Sequence, residues 1–389
     1  SIYFLDNLDP LALKEILEKI DNIEKTLVVP ISKSGTTQET QLLALTLKEL
    51  FLNSWKENFL WLSDTSAFEK LNNLGWKEVA KVPIQFDGLT DIGGRFSSPH
   101  TLIFFLPLFI LLKKDFRKLE KLYNLYVSFQ SQIRVSAFAL AKKFQDKDYA
   151  YFYPVVKGNF GENFTSWFVQ LFQESLGSKR DGFSVKTIPY FEDYKNSLFS
   201  PLEFDLEIKD PMVLLMSQMY FFQLFVAFFS AFKNINFVTQ DYVENYKEKA
   251  RNLELENKDE FDIEAVNLDK VLKELKNRIN ETHKFIEVVL YFYPKKGEID
   301  KIKRIFKDNF KDKICLVFVG SDWNHHSYQA AFKDKETFYV FLTSSYYIED
   351  VAKINPSVLK RNISTLKTIA KATFLTLKDK SLIFSLCRE

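Results

Sequence analysis

The chain has few cysteines, few glycines and no excess of either charge. Two cysteines in 389 residues cannot build a disulfide framework, which is typical of proteins from reducing compartments. Lysine and arginine number 53 against 51 acidic residues, and the net charge of +2 gives no field that would attract nucleic acid. We therefore expect a cytoplasmic protein that is neither a disulfide-stabilised secreted domain nor a nucleic-acid binder.

Targeting and membrane segments are also scarce. No basic region followed by an apolar stretch occurs at the N-terminus, so we expect no signal peptide. One apolar stretch, 211–232, has the length that a bilayer requires, and it carries Ser217, Gln218 and Gln223 but no charge before Lys233. A helix buried on all sides in a large soluble core has the same composition. We predict the core helix and no membrane partner.

Strand-like and helix-like segments alternate along the chain, which predicts parallel α/β sheets with helices on both faces. The predicted strands are 26–31, 58–64, 78–84, 148–156, 183–189, 285–294, 313–321, 337–345 and 381–387. The clearest helical patterns are 10–20, 65–75, 161–176 and 211–233. At 389 residues the chain is long for a single core, so more than one lobe is expected. A charged stretch, 248–262, is typical of a helix end followed by a linker.

The stretch VVPISKSGTTQETQ, residues 28–41, places small hydroxyl residues between a predicted strand and a predicted helix. A helix N-terminus carries free N–H donors and a partial positive charge, which stabilise a phosphate there. The hydroxyls of Ser32, Ser34 and Thr37 could add hydrogen bonds, and Gly35 would allow the backbone to approach closely. An ordinary N-cap by serine or threonine explains the same pattern, so both interpretations stay open.

Four motifs occur in a fixed order: SKSGTT at 32–37, DIGGRFS at 91–97, QLFQESLGS at 170–178 and NFVTQDYVENYK at 236–247. Together they resemble the phosphate loop, the glycine-glycine-arginine signature, the glutamate helix and the C-terminal signature of phosphoglucose isomerases. These enzymes belong to the sugar isomerase (SIS) domain family. Each motif is weak or moderate alone, but their order over about 220 residues makes the resemblance strong.

The resemblance extends into the last third of the chain. GSDWNHHSYQAAFK at 320–333 and STLKTIAKA at 364–372 look like degenerate forms of segments in bifunctional transaldolase–isomerase proteins, in their isomerase half. The implied fold is α/β: two SIS-type lobes of three αβα layers, 1–147 and 148–250, followed by a C-terminal α/β lobe, 251–389. The first lobe is expected to be truncated at its N-terminus.

The resemblance implies an aldose–ketose isomerase that interconverts glucose 6-phosphate and fructose 6-phosphate through an enediol, a reaction of glycolysis and gluconeogenesis, without cofactor or metal. Glu174 would be the base that moves the proton, Arg95 would stabilise the enediolate, and Lys247 would assist ring opening. A surface glutamate, a structural ion pair and a solvent-facing lysine are the corresponding plain alternatives. The expected phosphate contacts are Ser32, Lys33, Ser34, Thr37 and Gln240.

Several positions depart from the family pattern. An upstream glycine-rich loop and its phosphate-binding serine are absent, and the segment 191–199 lacks the family's ring-opening histidine, which leaves Lys195 or no replacement. Ser178 stands where lysine is usual, and Tyr242 and Tyr246 stand where small residues are common. These departures keep two alternatives open: a non-catalytic SIS protein that binds sugar phosphates, and the isomerase fragment of a transaldolase fusion.

The histidines give no clear site. His325 and His326 are adjacent but have no further metal ligands at suitable spacing, so we interpret them as a surface or interface pair. His100 follows the GGRFSSP stretch closely, without an assigned role. The expected partner is a small phosphosugar, and the resemblance leaves open a homodimer and an upstream transaldolase domain.

Overall fold

The computed structural model describes residues 1–51, 55–85, 87, 93–177, 184–188, 198–240, 242–255 and 263–388. Three features singled out in the sequence lie outside these residues: positions 91 and 92 of the glycine-glycine-arginine motif, Ser178, and the segment around Lys195. Asp241 of the 236–247 motif also lies outside them, and the remaining motif residues are described.

Helices and parallel strands make up most of the described chain. The helices are α1 Pro10–Leu17, α2 Gln38–Lys48, α3 Phe68–Leu71, α4 Leu102–Leu111, α5 Phe116–Lys143, α6 Gly161–Leu176, α7 Pro211–Lys233, α8 Val243–Leu255, α9 Leu268–Arg278, α10 Glu298–Asn309, α11 Asp322–His326, α12 Tyr328–Ala331 and α13 Pro356–Thr376. The strands are β1 Leu60–Ser63, β2 Ala80–Pro83, β3 Tyr149–Val155, β4 Ser184–Thr187, β5 Ser200–Glu203, β6 Ala265–Val266, β7 Phe285–Tyr291, β8 Ile314–Val319, β9 Thr337–Ser344 and β10 Ser381–Leu386. The predicted α/β class, with parallel sheets flanked by helices as in SIS-type three-layer folds, is confirmed.

The chain forms two compact units. The first contains Ser1–Val82, Tyr242–His325 and Asp334–Glu389, and the second contains Pro83–Asp241 and His326–Lys333. The division into three lobes at residues 147 and 250 stays a prediction.

The main sheet of the first unit has five parallel strands in the order β6-β10-β9-β7-β8. Strands β7 and β9 are buried along their whole length, as expected for parallel strands covered on both faces. Glu287, in the middle of β7, is buried as well, and its carboxylate accepts a 2.9 Å hydrogen bond from the indole nitrogen of Trp323. This polar contact meets the requirement that a buried carboxylate be paired.

The predicted strand 26–31 is formed only in part. Val28 and Ile31 make isolated parallel bridges to Phe59 and Leu62, on either side of Pro30. Proline has no N–H to give to a strand ladder, so a regular strand cannot run through this position. The carbonyl of Pro30 still accepts a 3.0 Å hydrogen bond from the amide of Leu62, and this aligns the segment that leads into Ser32.

The second unit is built on a parallel sheet of order β4-β3-β5 with α5, α6 and α7 packed around it. Helix α7 begins at the N-cap Asp210 with Pro211 in its first turn, and ends at Asn234 in the left-handed conformation. Phenylalanine rings fill the space between elements, as where Phe152 of β3 packs edge-on against Phe225 of α7 with 5.4 Å between ring centroids.

Within the described residues, α7 is the helix long and apolar enough to cross a membrane by length and composition. Its most apolar window is 61% buried inside the protein. Phe225, on this helix, has no exposed surface and packs against Phe152 and Phe172 of the second unit. The apolar length of α7 is therefore accounted for by the core that it fills.

Replacement of Phe225 by alanine should test this role of α7. We expect a loss of about 3–5 kcal/mol in the free energy of unfolding, because a buried ring is removed and its cavity is only partly refilled. Phe232 on the same helix is 38% exposed, so Phe232→Ala is the matched control and should cost less than about 2 kcal/mol. Urea unfolding measures both, and equal losses would contradict the packing described here.

Candidate active site

Glu174 lies in the last turn of α6, which runs from Gly161 to Leu176. The apolar residues of α6 face the core of the second unit, and the glutamate lies at the edge of that face with 6% of its surface exposed. A carboxylate taken out of water this far needs hydrogen-bond donors or an opposite charge. The surrounding chain supplies both.

Arg95 supplies the charge. It lies in a single 3-10 turn, Gly94–Phe96, and is 2% exposed. Its Nη1 donates to Oε1 of Glu174 at 2.9 Å, its Nε to Oγ of Ser175 at 2.7 Å, and its Nη2 to the carbonyl of Phe237 at 2.5 Å. Burial lowers the pKa of Arg95, and the Glu174 carboxylate opposes that shift. Glu174 and Arg95 therefore form a buried, hydrogen-bonded ion pair.

The glycine before this turn is needed for space. A Cβ at Gly93 would lie 3.2 Å from Nη1 of Arg95, closer than most contacts of that kind. A larger residue would therefore require the guanidinium to shift by a few tenths of an ångström. Of the two glycines in the motif, Gly93 is the one whose lack of a side chain leaves room for Arg95.

Two amide side chains complete the surroundings of Glu174. Nε2 of Gln240 donates to Oε1, and Nε2 of Gln170, one helical turn earlier, donates to Oε2 at 3.1 Å. Gln240 was predicted as a phosphate contact, and here its side chain binds the predicted base. Gln170 and Ser175 were quoted as part of a motif but given no role, although a residue four positions before a glutamate lies on the same helix face.

The predicted phosphate loop lies in the first unit. Gly35 has φ +66°, and a Cβ there would lie 3.0 Å from Cγ of Leu71, so the turn requires glycine. Oγ of Ser32 and Oγ1 of Thr37 are 2.9 Å apart, and Nε2 of Gln41 donates to the carbonyl of Gly35 at 2.6 Å. The loop is therefore closed on itself and held from α2.

The N-terminus of α2 follows this loop. Thr37 is the N-cap residue, and its side chain makes no capping hydrogen bond to the first turn. This speaks against the ordinary N-cap interpretation at Thr37, because the first amides of α2 lack that side-chain acceptor. Lys33 and Ser34 are exposed at the tip of the loop. Backbone amides, hydroxyls and a lysine are what an anion site at a helix N-terminus uses.

The first turn of α2 carries an ion pair that the sequence did not indicate. Oε1 of Glu39 lies 3.1 Å from Nε2 of His325, on α11. Burial would raise the pKa of Glu39, but the hydrogen bond and charge of His325 lower it to about 2. Desolvation would lower the pKa of His325, but Glu39 raises it above the ordinary value of histidine. The carboxylate therefore favours the protonated imidazole.

Lys247, on α8, is close enough to act on His325, because its charge lowers the pKa of the imidazole. Lys247 is half-buried. The adjacent His326 differs from His325: it is buried and its Nδ1 lies 2.5 Å from Oγ of Ser327. Among the described residues, no group of three or more histidine, cysteine or acidic side chains could hold a metal ion.

The predicted site residues thus form two clusters. Arg95, Glu174 and Gln240 are in direct contact in the second unit. The first unit holds the loop of Ser32, Lys33, Ser34 and Thr37, and also Lys247 with the additional pair Glu39 and His325.

Comparison with known proteins supports the resemblance over the N-terminal third of the chain. The model of the phosphoglucose isomerase family matches residues 1–124. Glucose-6-phosphate isomerase of Chlamydia felis is 36% identical over 98 residues, and that of Chlamydia caviae is 35% identical over 98 residues. Each match covers 25% of this chain, but only 17% and 18% of the two relatives, so the chain's match spans less than a fifth of their length.

A search of solved structures gives a weaker result. The crystal structure of a hypothetical protein from Thermus thermophilus matches over 99% of this chain and 65% of its own, with 12% identity and a TM-score of 0.20. A score this low does not indicate a shared fold. The match to the family model over the N-terminal third is more informative, because that segment contains the phosphate-loop motif and the Gly-Gly-Arg motif. The resemblance is therefore confirmed over residues 1–124, which match the model of the phosphoglucose isomerase family.

Proposed function

We propose that the protein is a glucose-6-phosphate isomerase, which interconverts glucose 6-phosphate and fructose 6-phosphate through an enediol. The observation that carries the proposal is the buried contact between Arg95 and Glu174, which lie 79 residues apart in the sequence. The two motifs that resemble the family's arginine and glutamate signatures thus converge on one ion pair. The family match to residues 1–124 supports the isomerase class.

The carbon chemistry follows from the two side chains. Moving a carbonyl between C1 and C2 requires a base that removes a proton from one carbon and returns it to the other. Glu174 is assigned that role, since a positioned, buried carboxylate can take up a proton and return it. Negative charge grows on the enediolate oxygens as the proton leaves, and the fixed guanidinium of Arg95 stabilises it. The same guanidinium holds the carboxylate in place before substrate binds.

Binding of the phosphate is assigned to Ser32, Lys33, Ser34 and Thr37. The support for this step is the closed loop, the N-terminus of α2 behind it, and the absence of a capping bond from Thr37. A dianionic phosphate would receive backbone amides, hydroxyls and one ammonium there.

His325 is assigned, beside Lys247, the ring-opening role of the family histidine, for which the sequence offered Lys195 or no replacement. Opening a cyclic sugar requires a proton donor at the ring oxygen, and a protonated imidazole held by a carboxylate is suited to this. Glu39 holds the imidazole through Nε2, and the charge of Lys247 acts on the same group. The sequence prediction treated His325 as a surface or interface residue.

One observation favours the alternative of a sugar-phosphate-binding protein without catalysis. Both carboxylate oxygens of Glu174 accept hydrogen bonds, Oε1 from Arg95 and Gln240 and Oε2 from Gln170. These donors stabilise the charged form and weaken the carboxylate as a base. Catalysis therefore requires substrate to take over at least one of these donors, and a protein in which that exchange fails would bind without turnover.

Glu174→Gln distinguishes the two functions. The isomerase proposal predicts loss of turnover by a factor of about 100 to 10,000, the usual contribution of a positioned base, with binding of fructose 6-phosphate retained. A coupled assay measures turnover and calorimetry measures binding. Glu162→Gln, at the exposed start of the same helix, is the control and should keep full activity. Tight binding by a wild-type protein without turnover would select the non-catalytic alternative.

Thr37→Val tests the phosphate loop. Valine keeps the shape of the side chain but removes the hydroxyl that contacts Ser32, so we expect about a 2- to 10-fold rise in the Kd for fructose 6-phosphate. Inorganic phosphate should lose affinity by a similar factor. Thr26→Val, outside the loop, is the control. An unchanged affinity for both ligands in Thr37→Val would remove the loop from the proposed site.

The pair of Glu39 and His325 predicts a pH dependence of stability. The folded pKa of His325 is raised, so its contribution is complete below about pH 6.5 and is lost as pH rises through the folded value. The folded pKa of Glu39 is lowered to about 2, so its contribution is complete above about pH 4.5 and is lost as pH falls toward 2.

Urea unfolding from pH 3 to pH 9 (about 1 unit per step) measures this effect. The double variant Glu39→Gln with His325→Gln keeps a hydrogen-bonding pair without charge. Its stability relative to wild type should be lowest between about pH 4.5 and 6.5 and should recover on either side. A difference that does not vary with pH would show that the pair is not ionised in the folded protein.

A further inference from the structure

We propose that Gln223, oriented by His100, is a positioning residue that holds the backbone of the Arg95 turn and so keeps the guanidinium on Glu174. This inference rests on the proposed function for its activity readout only. Neither residue was assigned a role by the sequence motifs. The inference concerns the second unit alone.

Gln223 lies on α7 and is 5% exposed. Its Nε2 donates to the carbonyl of Ser98 at 2.6 Å and reaches the carbonyl of Arg95 at 3.4 Å. The carbonyl of Arg95 also accepts a 3.1 Å hydrogen bond from Nε1 of Trp167, on α6. Two helices thus hold the same turn by its backbone oxygens, while the side chain of Arg95 points to Glu174.

His100 fixes which way the amide of Gln223 points. Nε2 of His100 lies 3.2 Å from Oε1 of Gln223, and an amide oxygen only accepts, so the imidazole must donate. Desolvation lowers the pKa of His100, so the neutral ring with its proton on Nε2 makes this bond. With Oε1 engaged by His100, the NH2 group is left to face Ser98 and Arg95.

The ring of His100 is held in turn by aromatic neighbours. Tyr220 lies edge-on at 5.2 Å between ring centroids, and Tyr126 lies at 6.4 Å. Tyr220 is on α7, three residues before Gln223, and Tyr126 is on the long helix α5. The side-chain amide of Gln223 is therefore oriented by His100, whose ring is packed between α5 and α7.

Helix α7 contains a second buried glutamine that serves as a matched control. Gln218 has no exposed surface, and its amide binds both the N–H and the carbonyl of Lys157, at 2.9 and 2.7 Å. It resembles Gln223 in residue type, helix and burial, but the backbone that it holds is not that of the Arg95 turn. Replacement of either glutamine by methionine removes the amide and keeps the length of the side chain.

The experiment compares Gln223→Met with Gln218→Met. Both variants should lose similar stability in urea. Only Gln223→Met should lose kcat for fructose 6-phosphate, by about 10- to 100-fold, because a small displacement of a catalytic group has that effect. KM should stay within about twofold, since Arg95 is assigned to the transition state and not to ground-state binding. His100→Gln keeps a donor and should retain most of the activity, whereas His100→Phe should not.

A second measurement does not depend on turnover. The Nε–H of Arg95 donates to Ser175 in a buried site, so its exchange with solvent, followed by NMR, should be slow in wild type. Exchange should accelerate at least about tenfold in Gln223→Met and stay slow in Gln218→Met. Equal exchange rates in the two variants, or equal kcat values, would overturn the inference. If the wild-type protein shows no turnover but the two variants show this exchange pattern, the isomerase proposal is contradicted and the positioning role of Gln223 is supported.

Discussion

The buried ion pair between Arg95 and Glu174 is the constraint on which the second unit depends. Taking two charges out of water costs several kcal/mol for each, and their attraction offsets this only where the remaining donors and acceptors are also satisfied. Ser175, the carbonyl of Phe237 and the amide of Gln240 meet that requirement. Loss of any of these partners would leave a buried charged or polar group without its hydrogen bond. The stability of the unit is therefore coupled to the geometry of the site.

In the first unit, a partly buried carboxylate is paired with a histidine at the N-terminus of a helix. A negative side chain in the first turn of α2 is favoured by the helix dipole, but it would repel a phosphate bound at the same N-terminus. Glu39 is compensated by the cation of His325, so the turn carries no net charge from this pair. Under the proposed function, this compensation would let the loop of Ser32 to Thr37 bind a phosphate although a glutamate follows within two residues.

Local patterns predicted the parts of the fold that local forces decide. The bounds of α6 and of α7 agree with the sequence prediction, because proline, glycine and apolar spacing mark helix ends within one turn. The segment 26–31 was predicted as a full strand from its apolar residues. It forms only isolated bridges, because Pro30 has no N–H to donate to a neighbouring strand. The contact of His325 with Glu39 joins residues 286 positions apart, and no spacing rule reaches that far. Arg95 and Glu174 were predicted as site residues only because each lies in a motif that resembles a family signature.

In the proposed isomerase, activity would depend on how the hydrogen-bond donors around Glu174 are shared between the resting carboxylate and the bound substrate. At rest the carboxylate accepts from one cation and two amides, a set that favours its ionised form and limits its strength as a base. A sugar oxygen that takes the guanidinium of Arg95 would remove the strongest of these donors at the moment when charge grows on the enediolate. The base would then strengthen as the intermediate is stabilised, so one movement of Arg95 serves both steps. Holding the backbone of Arg95 while its side chain exchanges partners is therefore what such a site needs.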